Sequence, residues 1–355
     1  MEPDDTATEP RPAERRTRDP EVGATADAGS RPLRWWVCLL IGAAAAVIGL
    51  LPWLLDGMRL PLQNLWATDA LPEDYPLALL PFSQYFLTRI AALLIVGAAV
   101  AGITARATRP RQRRFGVAWI LVGLLAVQAT SIVQTTTVVR GGLQERFESD
   151  LYVAALVAVA VLANLIGVGV LVLVAAAPRA GAVIGLSVAA VLSSSWLGGL
   201  LLPDPAVGGP AAEPVLFALR WLPAVLVGAA IAWGGIGTVG RVLAALVALT
   251  VLWIGPALVT AVSSAAGSRV LARRPDEMIE YASGVFRSAT TLPEIVAPPL
   301  VVAVVVAVIG LVGRLVMRRR RASRSTPEPS ARADDTSRSV PEGDGASDPR
   351  PSNSD

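Results

Sequence analysis

Eight stretches of this chain, each about twenty residues long, run almost without charge, and that is the length a helix needs to cross the hydrocarbon of a bilayer. They cover residues 35–55, 84–104, 115–137, 151–175, 182–202, 215–233, 242–262 and 295–317. A buried helix of a water-soluble domain keeps a polar face, and most of these runs lack one over their central turns. The expected fold is therefore all-α, a polytopic transmembrane bundle of eight spans occupying residues 31–317. The first run follows a stretch rich in Pro, Asp and Glu and is longer than the apolar core of a signal peptide, so it reads as a retained span. Composition agrees: 53% of the 355 residues are hydrophobic and 17% are charged, against about a quarter charged in an average soluble domain.

Arginine placement gives an expected orientation, because cytoplasmic flanks concentrate cations. With the N-terminus inside, the inner flanks hold Arg31, Arg34, Arg106, Arg109, Arg111, Arg113, Arg114, Arg179, Arg241, Arg314, residues 318–321 and Arg324. The inner loops hold no acid, whereas the outer side carries nine arginines against thirteen acids. Eight spans with both termini cytoplasmic satisfy every loop. Residues 1–30 and 318–355 are dominated by Pro, Ser, Thr, Asp, Glu and Arg, too polar to build a core, and are expected to be disordered tails. The basic start of the second tail, residues 318–321, is a topology anchor and a candidate contact for anionic lipid.

Composition also removes chemistry. The chain has no histidine and one cysteine, Cys38. Intrachain disulfides, cysteine metal sites, Ser-His or Cys-His catalysis, HExxH zinc sites and histidine proton relays are all excluded. Nothing calls for a metal or a cofactor. The arginines form short flanks and no folded basic face, so no nucleic-acid partner is expected. All cations are arginine, alongside an excess of Ala and Val. This is the composition of proteins encoded by GC-rich bacterial genomes, and it puts the expected location in a bacterial plasma membrane.

Spans two and six share a pattern. Phe86, Arg89, Val96, Gly97, Ala98, Ala99 and Ala101 match Phe217, Arg220, Val227, Gly228, Ala229, Ala230 and Ala232 at identical spacing. Four spans separate the pair, so both halves would run the same way, as a parallel 4+4 repeat about an axis along the membrane normal. The competing explanation is that Ala/Val/Gly-rich helices resemble one another by composition.

The candidate solute-binding residues are Arg89, Arg220, Gln128, Gln134 and Thr260. Each arginine sits about a turn and a half inside the outer end of its span, where it must snorkel outward or meet a carboxylate. The acids at hand for such pairs are Asp150, Glu213 and Glu294. The outer half of span three is polar, and Gln128, Ser131 and Thr135 share one helical face. Span seven offers Thr250, Thr260, Ser263 and Ser264, with Pro256 placed to break the helix. Such residues line a wet cavity or act as interhelical glue worth around 1 kcal/mol each. Loop 56–83 carries Leu60, Leu62, Leu65 and Trp66 before Asp69, Glu73 and Asp74, the pattern of a re-entrant or interfacial segment anchored by its tryptophan. Near the C-terminal end, Pro275, Asp276 and Glu277 begin a short amphipathic helix.

Two functional classes fit these features. A permease for a small anionic or amphiphilic solute would use the edge arginines and the polar outer halves. A non-catalytic scaffold or accessory subunit needs only the packing. A third, a polyprenyl-phosphate-dependent glycosyltransferase, rests on the acids Asp69, Glu73 and Asp74 alone.

Overall fold

The computed structural model describes residues 32–60, 66–67, 74–202, 209–268 and 274–324. Among them there are nine α-helices and no strand. They are α1 (Trp35–Leu55), α2 (Leu87–Thr108), α3 (Gly116–Gly142), α4 (Phe147–Ala175), α5 (Arg179–Leu201), α6 (Gly209–Gly234), α7 (Val239–Gly267), α8 (Pro275–Thr291) and α9 (Pro293–Arg324). All but α8 are long and apolar enough to cross a bilayer. The chain divides into two compact units, Met1–Gly310 and Leu311–Asp355. The described part of the second, residues 311–324, is a continuation of α9 that carries Arg314 and a run of further arginines.

Small residues decide which helices meet. A Cβ on Gly42 would collide with the carbonyl oxygen of Ile120, and one on Gly123 with that of Leu39, so α1 and α3 touch backbone to backbone. Gly49 and Gly97 do the same for α1 and α2, and Gly102 with Gly167 seats α2 on α4. Close approach through glycine is how helices associate in lipid, where burying apolar surface gives no gain over the acyl chains. In the second half, α5 packs on α6 and α7. Gly228 admits the carbonyl of Ala303, which brings α9 against α6. The order of neighbours thus recurs: α1 meets α2 and α3, and α2 meets α4; α5 meets α6 and α7, and α6 meets α9.

Local chemistry sets the boundaries. Gly57 (φ 87°) and Met58 (φ 57°) turn the chain sharply after α1, and Met58 is a non-glycine residue in a region that seldom suits one. The first turn of α4 holds Glu148 and Asp150, and that of α8 holds Asp276 and Glu277, each complementing the positive helix N-terminus. The α4–α5 link is shorter than its sequence suggests, because Arg179 already belongs to α5. Pro256 does not break its span: α7 continues through it to Gly267.

Charge sorts the described helix ends. Where α1, α3, α5 and α7 begin, the described part of Met1–Gly310 holds Arg34, Arg106, Arg109, Arg111, Arg179 and Arg241 among its cations and no acid. Every described acid lies towards the opposite end. We call these the arginine end and the acid end.

Candidate functional site

Arg89, Arg220, Gln134 and Thr260 lie in the acid-end parts of their helices and Gln128 at the middle of α3, and the structure gives each one different surroundings. Arg89, one turn into α2, is enclosed: its side chain is 12% exposed. Its Nη2 approaches Asp56 Oδ2 at 3.0 Å, a charge contact whose angle is poor for a hydrogen bond, and its Nε donates to no acceptor. The guanidinium carbon lies 5.3 Å from the ring centre of Trp53 and 5.9 Å from that of Phe86. Gly199 of α5 forms the facing wall, where a Cβ would stand 3.2 Å from Nε. The sequence offered Asp150, Glu213 and Glu294 as partners, but the carboxylate is Asp56. Asp150 instead faces Arg140, at 3.2 Å on an exposed surface. The sharp turn at Gly57 and Met58 holds Asp56 back over the end of α2.

Arg220, its counterpart by sequence pattern, lies on the exposed surface of α6 and makes no ion pair among the described residues. Its guanidinium sits 5.5 Å from the ring centre of Trp221, which meets Phe217 edge-on at 6.1 Å. The two arginines therefore occupy opposite environments, one walled in among α1, α2 and α5 and the other open.

The polar stripe of α3 faces inward. Gln128, Ser131 and Thr135 are buried. Gln128 Nε2 donates to the Leu94 carbonyl of α2 at 2.9 Å, while its Oε1 finds no donor. Ser131 donates to the carbonyl of Val127 within its own helix. Gln134 and Thr135 hold the segment 77–80 that leads into α2. The Leu79 N–H donates to Gln134 Oε1 (2.9 Å), Gln134 Nε2 donates to the Leu77 carbonyl (3.1 Å), and the Leu80 N–H donates to Thr135 Oγ1 (2.9 Å). Trp53 Nε1 fixes the same strap by donating to the Ala78 carbonyl (2.8 Å), and Leu80 and Phe82 are fully buried beneath it. Non-helical backbone at this depth is tolerated where its polar groups are satisfied, and these side chains satisfy them.

The Trp66 ring lies over Gly142 at the end of α3, and its carbonyl accepts from Gln144 Nε2 (2.9 Å). Leu62, Leu65, Asp69 and Glu73 lie outside the described residues. Thr260 is on the exposed face of α7, and Ser263 is the residue that bridges helices, meeting Thr88 of α2 oxygen to oxygen at 2.7 Å. A recess of about 550 Å³ opens at the α3–α4 turn, lined by Arg140, Glu145, Arg146 and Asp150 among others, and none of the expected site residues lines it. The described residues contain no group of three metal-ligating side chains.

Residues the sequence did not mark include Asp56, Trp53, Gly199 and two on α5. Trp196 Nε1 donates to the Gly49 carbonyl of α1 (2.8 Å), and Ser194 donates to the Leu219 carbonyl of α6 (2.7 Å). The second bond has a definite cause. Pro223 has no N–H to give the carbonyl four residues earlier, which is that of Leu219, and Ser194 supplies the missing donor.

The helices define a class: this is a multi-pass membrane protein. Beyond the class, the chain matches no family model, no curated protein and no solved structure.

Proposed function

We propose that the protein is a permease for a small anionic or amphiphilic solute, in a bacterial plasma membrane with both termini cytoplasmic. In this reading the arginine end faces the cytoplasm, as the concentration of cations there favours. The four-span halves arise by parallel duplication, which the recurring order of helix neighbours supports.

The observation that carries the reading is an exposed cation beside an articulated layer. Arg220 stands one turn outside Pro223 of α6. Pro298 and Pro299 of α9 lie at nearly the same depth, because Ala303 meets Gly228 and the two helices run parallel. Pro256 of α7 falls within about a turn of that level, since Gly255 lies against Val191 of α5 and Ser194, one turn on, meets Leu219. Three helices that can each bend at one depth provide a hinge, and an exposed cation beside it, stacked on Trp221 and in no ion pair among the described residues, provides a contact for an anion. Of the five expected residues, Arg220 and Thr260 remain open to a solute. Arg89, Gln128 and Gln134 act through the packing that surrounds them.

The scaffold reading draws on one observation, that Gln134 and Thr135 are spent on a strap. The test is thermal unfolding in nanodiscs with medium-chain fatty acids and alkyl phosphates, for the parent and Arg220→Gln. At a hundredfold excess over Kd a ligand stabilises by about 2.7 kcal/mol. The permease reading expects an upward shift in the parent that is lost in Arg220→Gln, followed by uptake of the active compound into proteoliposomes. Equal shifts in both proteins, or none in either, overturn it in favour of the scaffold.

A further inference from the structure

At the arginine end, Arg106 ties three helices together. Its Nη1 donates to the Val174 carbonyl at the end of α4 (2.7 Å) and to the Ala177 carbonyl in the α4–α5 link (3.1 Å), and its guanidinium carbon sits 5.2 Å from the ring centre of Trp233 on α6. Capping the negative end of α4 and stacking on an indole accounts for this charge. Two more arginines stand within Coulombic reach of it, Arg109 just past α2 and Arg179 at the first position of α5. Both are exposed, neither makes an ion pair among the described residues, and none of the described acids lies at this end. Like charges so close repel one another, and they are retained at this spot by no protein carboxylate in the described structure. The first turn of α5 adds backbone N–H groups without a side-chain cap. Trp233 is 40% exposed beside Arg106, and an indole is a side chain favoured where acyl chains give way to headgroups.

We propose that Arg109 and Arg179, with Arg106 behind them and Trp233 alongside, form a binding site for a phosphate group where α2, the α4–α5 link and α6 meet. Anionic phospholipid headgroups and free inorganic phosphate share the required chemistry. The site differs from the run at residues 318–321, because it is built from separate helices of one compact unit. A phosphate there offsets the repulsion of Arg109 and Arg179 with Arg106 and links the end of α2 to the start of α5.

The test compares the full-length protein with two double variants that remove the same charge from the same end of the bundle. One is Arg109→Gln/Arg179→Gln. The other is Arg113→Gln/Arg114→Gln, which alters two exposed arginines of the α2–α3 link and spares the site. All three are placed in nanodiscs of phosphatidylcholine with a minor share of phosphatidylglycerol, and co-purifying lipid is counted by native mass spectrometry. Thermal unfolding in pure phosphatidylcholine checks that each variant is folded; both pairs are exposed, and Arg114 lies over the exposed ring of Phe115. Both pairs lose the diffuse attraction that any arginine near the surface has for an anionic leaflet, so the site expects retention of phosphatidylglycerol to fall at least tenfold further in Arg109→Gln/Arg179→Gln than in the control, a difference of about 1.4 kcal/mol. A second arm adds millimolar inorganic phosphate in pure phosphatidylcholine. If phosphate stabilises the parent and the control but not the site variant, and phosphatidylglycerol is not retained, the site stands with soluble phosphate as its ligand. Equal loss in both variants, or none in either together with no phosphate effect, overturns the site and leaves only a diffuse basic surface.

Discussion

Helices α2, α3 and α4 contain no internal proline, whereas α6, α7 and α9, which hold the matching places in the order of packing, contain at least one each. Burial follows the same division: 61% of the apolar window of α2 is buried, against 22% for α7. The first half is pinned by backbone contacts at glycine, by a strap bonded to α3 and by an enclosed ion pair. The second half buries less of its spans and carries prolines, each of which removes a helical hydrogen bond and offers a place to bend. Two sets of helices with similar hydropathy have become a frame and a jointed body. The difference comes from where glycine and proline sit, since lipid rewards both sets equally for being apolar.

The sharpest way to break this comparison is to unpin the frame. Asp56→Asn leaves Arg89 enclosed with no counter-charge, and removing one partner of a buried pair costs about 3–5 kcal/mol. Arg220→Gln, its counterpart on an exposed face, should change stability by less than about 0.5 kcal/mol. Denaturant or thermal unfolding in one detergent compares the two. Equal losses would place both arginines in the same structural role and remove the contrast between the halves.

A smaller effect is expected at the strap. Gln134→Ala with Thr135→Val strips the partners from the Leu79 and Leu80 N–H groups and the Leu77 carbonyl. Each buried polar group left unsatisfied costs about 1–3 kcal/mol, although water entering the outer end can recover part of it. Hydrogen exchange should accelerate at residues 77–82 while α6 and α7 are unaffected. Protection that stays unchanged in the strap would mean that Trp53, through the Ala78 carbonyl, holds it without α3.

The sequence made the eight long helices legible because a bilayer imposes length and apolarity on each one independently. It made α8 legible through Pro275, Asp276 and Glu277. The helices outrun the apolar stretches at their ends, as α7 does from Val239 to Gly267, because the apolar run reports only the part a bilayer must cover and a helix need not stop there. The inward face of α3 was also legible, since Gln128, Ser131 and Thr135 fall on one side of a helix by spacing alone. What that face meets was not. Its partners are main-chain groups of Leu94 and Leu80, and a backbone donor or acceptor leaves no mark in the residue type that carries it. Asp56 escaped for a related reason: it is the first residue after α1, and the turn that folds it onto Arg89 depends on the left-handed conformation of Met58, which residue identity does not forecast.

The smallest effect tests the hinge itself. Ser194→Ala removes the donor from the Leu219 carbonyl, which Pro223 has already deprived of its helical partner, and should cost about 1 kcal/mol. Pro223→Ala restores an N–H at that position, so in its background the serine has less to do. The double-mutant cycle should then give a coupling of about 0.5–1 kcal/mol, with the loss on Ser194→Ala shrinking once the proline is gone. An unchanged loss would mean that the hydroxyl acts through packing against α6 and that the freed carbonyl is satisfied elsewhere. A positive coupling carries a further consequence for movement. The bond then holds a bend in α6 at the level of Pro298 and Pro299 of α9, and Arg220, one turn outward, would ride on whatever opens there. Cross-linking or spin-label distances between α5 and the outer end of α6 should broaden in Ser194→Ala if that is so, and those between α1 and α3 should not.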